Sequence, residues 1–258
     1  MNKQSQMNKK AWQYKSDEVW EKIIGMPEDV AEDMKKRPKY YLRRHIEFLG
    51  DLKGKKIVNL LGSNGKKAIP LSLLGSNVTI IDISESNKRY AIDLAKAAGV
   101  EINYIVSDLL ELNTDKLKNS FDVAFLECGI LHYFADLNLV SKKIYDLLKT
   151  GGKLVLNDYH PVRKILKQGV ANVPKREKLI LDGDYFNKDL FNGEHVLQQF
   201  LSSEEQSECP EVKLRYWTMG EIISSFASDF IIKKLIEFPR FDDHKNIPGT
   251  FTLISYKL

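Results

Sequence analysis

Short apolar runs alternate with amphipathic stretches through the middle of the chain. Five such runs predict buried strands, at residues 57–61, 78–82, 102–106, 121–126 and 153–157. The stretches between them predict helices, one ending near residue 74 and others at residues 87–98 and 139–148. Strands that are apolar on both faces and alternate with helices indicate a parallel sheet covered on two sides.

The two ends of the chain carry different patterns. Residues 8–50 predict two or three helices, and residues 219–226 predict a late helix. The runs 230–237 and 250–256 predict two strands paired as an antiparallel hairpin. The predicted fold class is therefore α/β, with a doubly wound, mostly parallel seven-stranded sheet that ends in this hairpin.

The stretch 162–215 interrupts the alternation. It is polar and weakly periodic, and it is too long for a simple connection in a compact fold. Such a stretch is typical of a lid or insertion beside a functional site. We expect a helical cap at residues 1–50 and one catalytic or binding domain at residues 51–258, with the lid at 162–215.

Composition narrows the class of protein. With 258 residues, of which 43% are hydrophobic and 29% charged, the chain can bury an ordinary globular core. No apolar run is long enough to cross a bilayer, and the first ten residues do not resemble a secretory signal. Cys128 and Cys209 match no metal-binding or redox spacing. We expect no metal site, no membrane partner and a cytoplasmic location.

The net charge of +4 is mild. The densest basic stretch, residues 35–56, mixes lysines and arginines with tyrosines, a composition that can contact nucleic acid. A solvated helix face is the simpler interpretation at this overall charge, so nucleic acid is disfavoured as a partner.

A glycine-containing turn follows the first strand, at Gly62, Ser63, Asn64 and Gly65. Such a turn lets the backbone approach a ligand closely, although it can also be purely structural. About 20 residues after Gly62, Asp82 ends the second strand, where a carboxylate can accept hydrogen bonds from ribose hydroxyls. Asp108 follows the third strand, where a carboxylate can meet the exocyclic amine of an adenine ring. The turn and Asp82 predict an adenosine-containing cofactor, either NAD or S-adenosylmethionine, and Asp108 helps to decide between the two.

The ordered set of motifs resembles the class I S-adenosylmethionine-dependent methyltransferases. After the turn and the two acids come a Phe-Asp strand at residue 121 and the turn Leu-Leu-Lys-Thr-Gly-Gly-Lys-Leu at 147–154, all over residues 55–160. The stretch 8–12 is similar to the opening of small-molecule methyltransferases with an N-terminal helical cap. The chain departs from the family pattern at three positions. The family usually has an acidic residue where this chain has Leu60, and its second and third glycines are Asn64 and Lys66 here. Asn59, next to Leu60, is a polar residue that could supply a contact instead.

The resemblance implies a role for each residue near the cofactor, S-adenosylmethionine. Asp82 would hold the ribose, while Ile83 would pack on the adenine. The residues expected beside the base are Asp108 and Leu109. Those expected beside the methionine portion are Gly62, Ser63, Asn64, Gly65, Glu127 and Cys128.

Acceptor residues are predicted less directly. His132 and His160 follow the fourth and fifth strands, where either could act as a general base, although a lone histidine is more often structural. His160 is slightly favoured, because Pro161 fixes the backbone beside it. Candidates for the acceptor pocket are Trp12, Tyr133, Tyr159 and Arg215, with an Arg215 salt bridge as the simpler alternative.

Three functions remain open. The first is methyl transfer to a small-molecule acceptor, enclosed by the cap and the lid. The second is an RNA or protein methyltransferase that uses the basic stretch 35–56; residues 127–130 lack the proline-containing motifs of base methylation. The third is a cofactor-binding protein without catalysis or an NAD-linked enzyme, and the incomplete glycine pattern argues against NAD.

Overall fold

The computed structural model describes residues 1–168, 179–240 and 245–258. Its strands, numbered in chain order, are β1 Lys56–Leu60, β2 Asn77–Asp82, β3 Asn103–Val106, β4 Phe121–Glu127, β5 Leu148–Tyr159, β6 Leu166–Gln168, β7 Leu179–Leu181, β8 Phe191–Gly193, β9 Val212–Leu214, β10 Ile231–Pro239 and β11 Pro248–Tyr256. Its α-helices are α1 Lys3–Gln13, α2 Ser16–Ile24, α3 Pro27–Lys36, α4 Pro38–Tyr41, α5 Ile46–Leu49, α6 Ala68–Leu73, α7 Glu85–Ala98, α8 Leu137–Leu147, α9 Ser203–Glu208 and α10 Met219–Ala227.

Seven strands form one sheet in the order β10-β11-β5-β4-β1-β2-β3. Strands β1 to β5 run parallel, and β11 lies antiparallel between β5 and β10. Ile57, Val58 and Leu60 of β1 are fully buried, because helices cover both faces of the sheet. This architecture confirms the fold class predicted from the sequence.

Strand β1 lies at the point where the strand order reverses. It pairs with β2 on one side and with β4 on the other, so the connections to these two strands run to opposite sides of β1. In such sheets a ligand crevice opens beyond the carboxyl ends of the strands at this switch point. The turn after β1 and the residues that end β2 and β4 therefore border one crevice.

Two regions are more regular than the sequence suggested. The first 50 residues contain five helices rather than two or three, because Pro27 and Pro38 each occupy the first turn of a new helix. The insertion 162–215, expected to be irregular, contains β6 paired with β7, β8 paired with β9, and helix α9. Residues 169–178 of that insertion lie outside the described part of the chain.

The predicted turn at Gly151 lies within a strand. β5 begins at Leu148, and its pairing with β4 shifts register between Leu148 and Lys153. Gly151 has a φ of 74°, which a glycine adopts without strain. The glycine pair therefore forms an irregularity in β5. Among the described residues, no helix is both long and apolar enough to cross a membrane.

Candidate functional site

A cavity of about 570 Å³ opens at the carboxyl ends of β1, β2, β3 and β4. It falls within the usual size range of small-molecule sites, roughly 300–1,000 Å³. Of the predicted cofactor-binding residues, those that line it are Gly62, Ser63, Asn64, Asp82, Ile83, Asp108, Leu109, Glu127 and Cys128. Gly65 does not line the cavity; a Cβ at this position would meet the Cβ of Ala91 at 3.1 Å. Gly65 thus permits the close approach of helix α7.

The turn after β1 is a tight backbone structure attached to the neighbouring strands. Leu61 and Ser63 adopt φ values of 48° and 47°, a backbone conformation that residues other than glycine rarely adopt. The Ser63 amide donates to Oδ2 of Asp82 at 3.0 Å. The Ser63 carbonyl accepts from the hydroxyl of Tyr104 at 2.9 Å. Side chains from β2 and β3, the two strands on this side of β1, therefore hold the turn in place.

Asp82 is a buried carboxylate in the cavity wall, 6% exposed. Besides Ser63, its donors are the Ser84 amide at 3.0 Å and Asn87 Nδ2 at 3.2 Å. Burial raises the pKa of Asp82, and these hydrogen bonds oppose that shift. Asp82 also lines the cavity, where its carboxylate can accept from a ligand hydroxyl.

Asp108 provides a second buried carboxylate on the same cavity. Its Oδ1 accepts from the Leu110 amide at 2.9 Å, which fixes the side chain at the end of β3. Leu109 and Ile83 supply apolar surface beside it. A carboxylate next to flat apolar surface suits a planar ring that carries an amine.

The end of β4 carries a charged group held from two sides. Oε1 of Glu127 lies 2.9 Å from His45 Nε2 and 3.2 Å from Lys67 Nζ. Burial opposes the charge of Glu127, but the hydrogen bond from His45 and the charge of Lys67 prevail and lower its pKa. Burial raises the pKa of the Cys128 thiol to about 12, so Cys128 is not a thiolate at neutral pH.

Asp158 organises the turn after β4 and was not identified from the sequence. Its carboxylate accepts from the backbone amides of Gly129 at 2.6 Å, Ile130 at 3.1 Å and Leu131 at 2.8 Å. Gly129 and Ile130 line the cavity, so Asp158 shapes the cavity wall from behind. The signal for it in the sequence is its position at the end of β5.

Asn59 stands one residue before the position where an acid was expected. Its Nδ2 donates to the Phe125 carbonyl at 3.2 Å, while its buried Oδ1 has no partner. A Cβ on Gly62 would lie 2.7 Å from that oxygen, so the glycine keeps the space beside Oδ1 open. An unpartnered buried acceptor in a cavity wall is costly unless a ligand donor reaches it.

The predicted acceptor residues divide into two groups. Trp12 and Tyr133 line the cavity, with ring centroids 6.0 Å apart. Tyr159 and Arg215 do not line it. Arg215 pairs with Glu221 at 2.9 Å, donates to the Ala135 carbonyl and lies over the ring of Trp217, as the salt-bridge interpretation expects. The Tyr159 ring lies under the guanidinium of Arg163, 4.3 Å away.

The two predicted catalytic histidines lie outside the cavity lining. His132 packs against Tyr133 with ring centroids 4.4 Å apart, and burial together with the charge of Lys164 lowers its pKa to about 3. His160 accepts from the Val162 amide at Nδ1, and its Nε2 lies 2.7 Å from Glu237. Both nitrogens of His160 are therefore engaged, and the structure does not bring it to the cavity.

The cavity is covered by α1, α2 and the insertion. Its outer wall is apolar and aromatic, and the residues that form it are Trp12, Trp20, Ile23, Ile24, Tyr133, Phe134, Val196 and Phe200. Beside this wall lies His195, 2% exposed and with both ring nitrogens unpartnered, its ring edge-on to Trp12 at 4.4 Å. No spacing in the sequence singles out His195, because its neighbours come from α1. Within the described ranges, no cluster of three acidic, cysteine or histidine residues could hold a metal ion.

Comparison with known proteins agrees with this geometry. A family described as "Methyltransferase domain" matches residues 61–156. A ubiquinone biosynthesis O-methyltransferase from Rickettsia conorii is 30% identical over 144 residues, which is 55% of this chain and 48% of that protein. The chain thus matches about half the length of this curated relative.

Solved structures match over more of the chain. An S-adenosylmethionine-dependent methyltransferase from Mesorhizobium loti superposes with a TM-score of 0.61 at 21% identity, covering 84% of this chain and 95% of that one. The magnesium protoporphyrin IX methyltransferase from Synechocystis PCC 6803, solved with bound SAH, has a TM-score of 0.58 at 14% identity and covers 99% of this chain and 100% of its own. At these identities the likeness shows a shared fold.

Proposed function

We propose that this chain, which carries a class I S-adenosylmethionine-dependent methyltransferase domain, transfers a methyl group from that cofactor to a small-molecule acceptor. One observation carries the proposal. The turn after β1 and the buried carboxylates Asp82 and Asp108 line a single cavity at the switch point of the sheet.

The groups that face the cavity fit the cofactor. Asp82 offers a fixed acceptor to ribose hydroxyls, and Asp108 offers one to the adenine amine. Glu127 and the unpartnered Oδ1 of Asn59 are acceptors at the end of the cavity where the ammonium group of the methionine portion would lie. When bound, the cofactor supplies a methyl group on a sulfonium centre.

The acceptor side of the cavity suits a molecule with an apolar or aromatic part. The outer wall buries aromatic and aliphatic surface, and helix α1 and residues 196–200 close over it. An enclosed site excludes water and aligns two reactants, which are the main requirements of an in-line displacement with a neutral leaving group. The curated relative that acts in ubiquinone biosynthesis agrees with a small acceptor.

A general base is needed only for an acceptor that must lose a proton. His132 is the stronger of the two proposed bases, because its ring carbon Cε1 lies beside Gly129 in the cavity wall. A base with a pKa near 3 is weak, so the proposed contribution of His132 is modest. His160, whose nitrogens are paired, is better suited to tying β5 to β10.

The test is to incubate the protein with S-adenosylmethionine carrying a labelled methyl group and three separate acceptor pools: small metabolites, RNA and protein. We expect label in the small-molecule pool. Label confined to RNA would support instead the alternative based on the basic stretch 35–56, and label confined to protein would support a protein acceptor. The Asp108→Asn variant, altered only in the cofactor half of the cavity, should transfer less label to the same pool.

A further inference from the structure

A second cavity, of about 520 Å³, lies next to the first. The residues common to both are Lys66, Lys67, Glu127 and Cys128. Those that line only the second are Tyr40, Tyr41, Arg43 and Arg44. Four basic side chains and one acidic side chain therefore surround a space that opens to the methionine end of the proposed cofactor site.

The acidic side chain does not balance this charge. Glu127 pairs with His45 and Lys67, and Lys67 also donates to the Tyr41 carbonyl at 2.7 Å. These contacts hold Lys67 and Glu127 to each other. The positive charge that faces the space comes from the remaining basic residues.

Two of those basic residues, Arg43 and Lys66, are well placed to bind an anion. The guanidinium carbon of Arg43 lies 4.1 Å from the centroid of the Tyr40 ring, and its Nη1 donates to the Tyr40 carbonyl at 2.9 Å. This contact fixes the plane of the guanidinium, whose further N–H groups can bind a planar anion. Lys66 lines the same space, and within the described ranges its ammonium group makes no hydrogen bond or ion pair.

Lys66 is an exposed residue, but its surroundings still disfavour its charge. Desolvation, then the positive charges of Lys67 and Arg43, lower the pKa of the ammonium group, and Glu127 only partly opposes them. A negative group bound between Lys66 and Arg43 would attract both cations and so offset the repulsion between them. Lys66 also occupies the place of the third glycine in the family turn, which puts the cation directly beside the cofactor cavity.

We propose that Lys66 and Arg43 form an anion-binding subsite, for a carboxylate or phosphate, on the wall shared by the two cavities. The proposal rests on the proposed function, since the anion belongs to a molecule bound in the active site. Two sources fit this chemistry: the methionine carboxylate of the cofactor, or an acidic group on the acceptor.

Calorimetry with two probes separates these sources. S-adenosylhomocysteine carries the amino-acid carboxylate, whereas 5′-methylthioadenosine lacks it. If the cofactor is the source, Lys66→Met and Arg43→Met should each weaken S-adenosylhomocysteine binding by at least about tenfold, as expected for a lost charge-assisted contact, and leave methylthioadenosine binding unchanged. Lys39→Met is the matched control, because Lys39 is exposed on the same basic segment and lines neither cavity.

If S-adenosylhomocysteine affinity is unchanged, the acceptor is the source. Inorganic phosphate should then raise the melting temperature of the wild type, and raise it less in both variants than in the control. The subsite would be overturned if the wild type and both variants bound S-adenosylhomocysteine and 5′-methylthioadenosine equally well and showed the same rise in melting temperature with phosphate. A wild type that binds no S-adenosylhomocysteine would instead contradict the proposed function, and the phosphate arm, run on the free protein, would still decide on the subsite.

Discussion

Asn8 and the backbone of Lys213 are joined by two reciprocal hydrogen bonds. Asn8 Nδ2 donates to the Lys213 carbonyl at 3.0 Å, and the Lys213 amide donates to Asn8 Oδ1 at 2.7 Å. Gln4 Nε2 donates to the same carbonyl at 3.1 Å. Helix α1 is thereby fastened to β9, so the N-terminal helices and the insertion form one cover over the cavity.

We predict that Asn8→Ala weakens this cover. The loss of two hydrogen bonds, one of them from a backbone amide left without a partner, should lower the free energy of unfolding by about 1–3 kcal/mol. Bound S-adenosylhomocysteine should also dissociate faster, because Asn8 lines the cavity. Urea unfolding and stopped-flow dissociation would measure the two effects. Gln6→Ala, on the same helix but exposed, is the control, and identical values for both variants would exclude a role for the Asn8–Lys213 pair.

Asp82→Ala should reduce cofactor affinity and stability together. Loss of the proposed ribose contact should cost about 2–3 kcal/mol of binding free energy. The variant also leaves the Ser63 and Ser84 amides and Asn87 without their acceptor, which should cost about 1–3 kcal/mol of unfolding free energy. Calorimetry on the folded variant at low temperature would separate the two losses. Asp93→Ala, exposed on α7, should change neither quantity; unchanged affinity in a folded Asp82 variant would remove this residue from the site.

Replacing the two candidate bases by glutamine should give different results. If the acceptor must lose a proton, His132→Gln should lower turnover by about 10²-fold, at the low end for a positioned base. His160→Gln should leave turnover near the wild-type value and lower thermal stability, because it removes the contact with Glu237. Steady-state kinetics and thermal unfolding of both variants would test this assignment. The opposite ranking of turnover would place the base at His160.

Stability should fall as the pH is lowered from 7 to 5. Burial lowers the pKa of His132 to about 3 and that of His195 to about 4, below the ordinary value of 6.5. The unfolded chain therefore binds more protons in this range, and each histidine should cost about 2 kcal/mol of unfolding free energy. The loss begins near pH 6.5 and stops below the folded pKa values. Urea unfolding at both pH values should show a smaller loss in His195→Leu; an equal loss would show that His195 does not contribute.

The parts of the fold that the sequence predicted best are those set by local apolar runs. Strands β1, β2, β4, β5 and β11 were placed correctly because each contains a short apolar run that is buried in the sheet. Strand β10 was also placed correctly, although it lies at the edge of the sheet and is largely exposed. The ends of the strands also predicted the site. Parallel strands place their carboxyl ends at one edge of the sheet, so Asp82, Asp108 and Glu127 could be grouped there before any side-chain contact was known.

The groups that could not be predicted depend on contacts between distant parts of the chain. His45 reaches Glu127 across 82 positions, and Asn8 reaches Lys213 across 205. Among the described residues, the ring nitrogens of His195 have no hydrogen-bond partner because Trp12 of helix α1 packs against the ring. His160 looked suited to catalysis because it follows a strand, but its side chain turns to Glu237 on the antiparallel hairpin, a pairing that periodicity does not indicate.

Titration of the purified protein with S-adenosylhomocysteine in a calorimeter tests the central claim most directly. We predict a single site per chain, a lower affinity in Asp82→Ala, and no binding of NAD under the same conditions. A wild-type protein that gives no heat of binding and no rise in melting temperature with S-adenosylhomocysteine, or that responds equally to NAD, would contradict the assignment of this cavity.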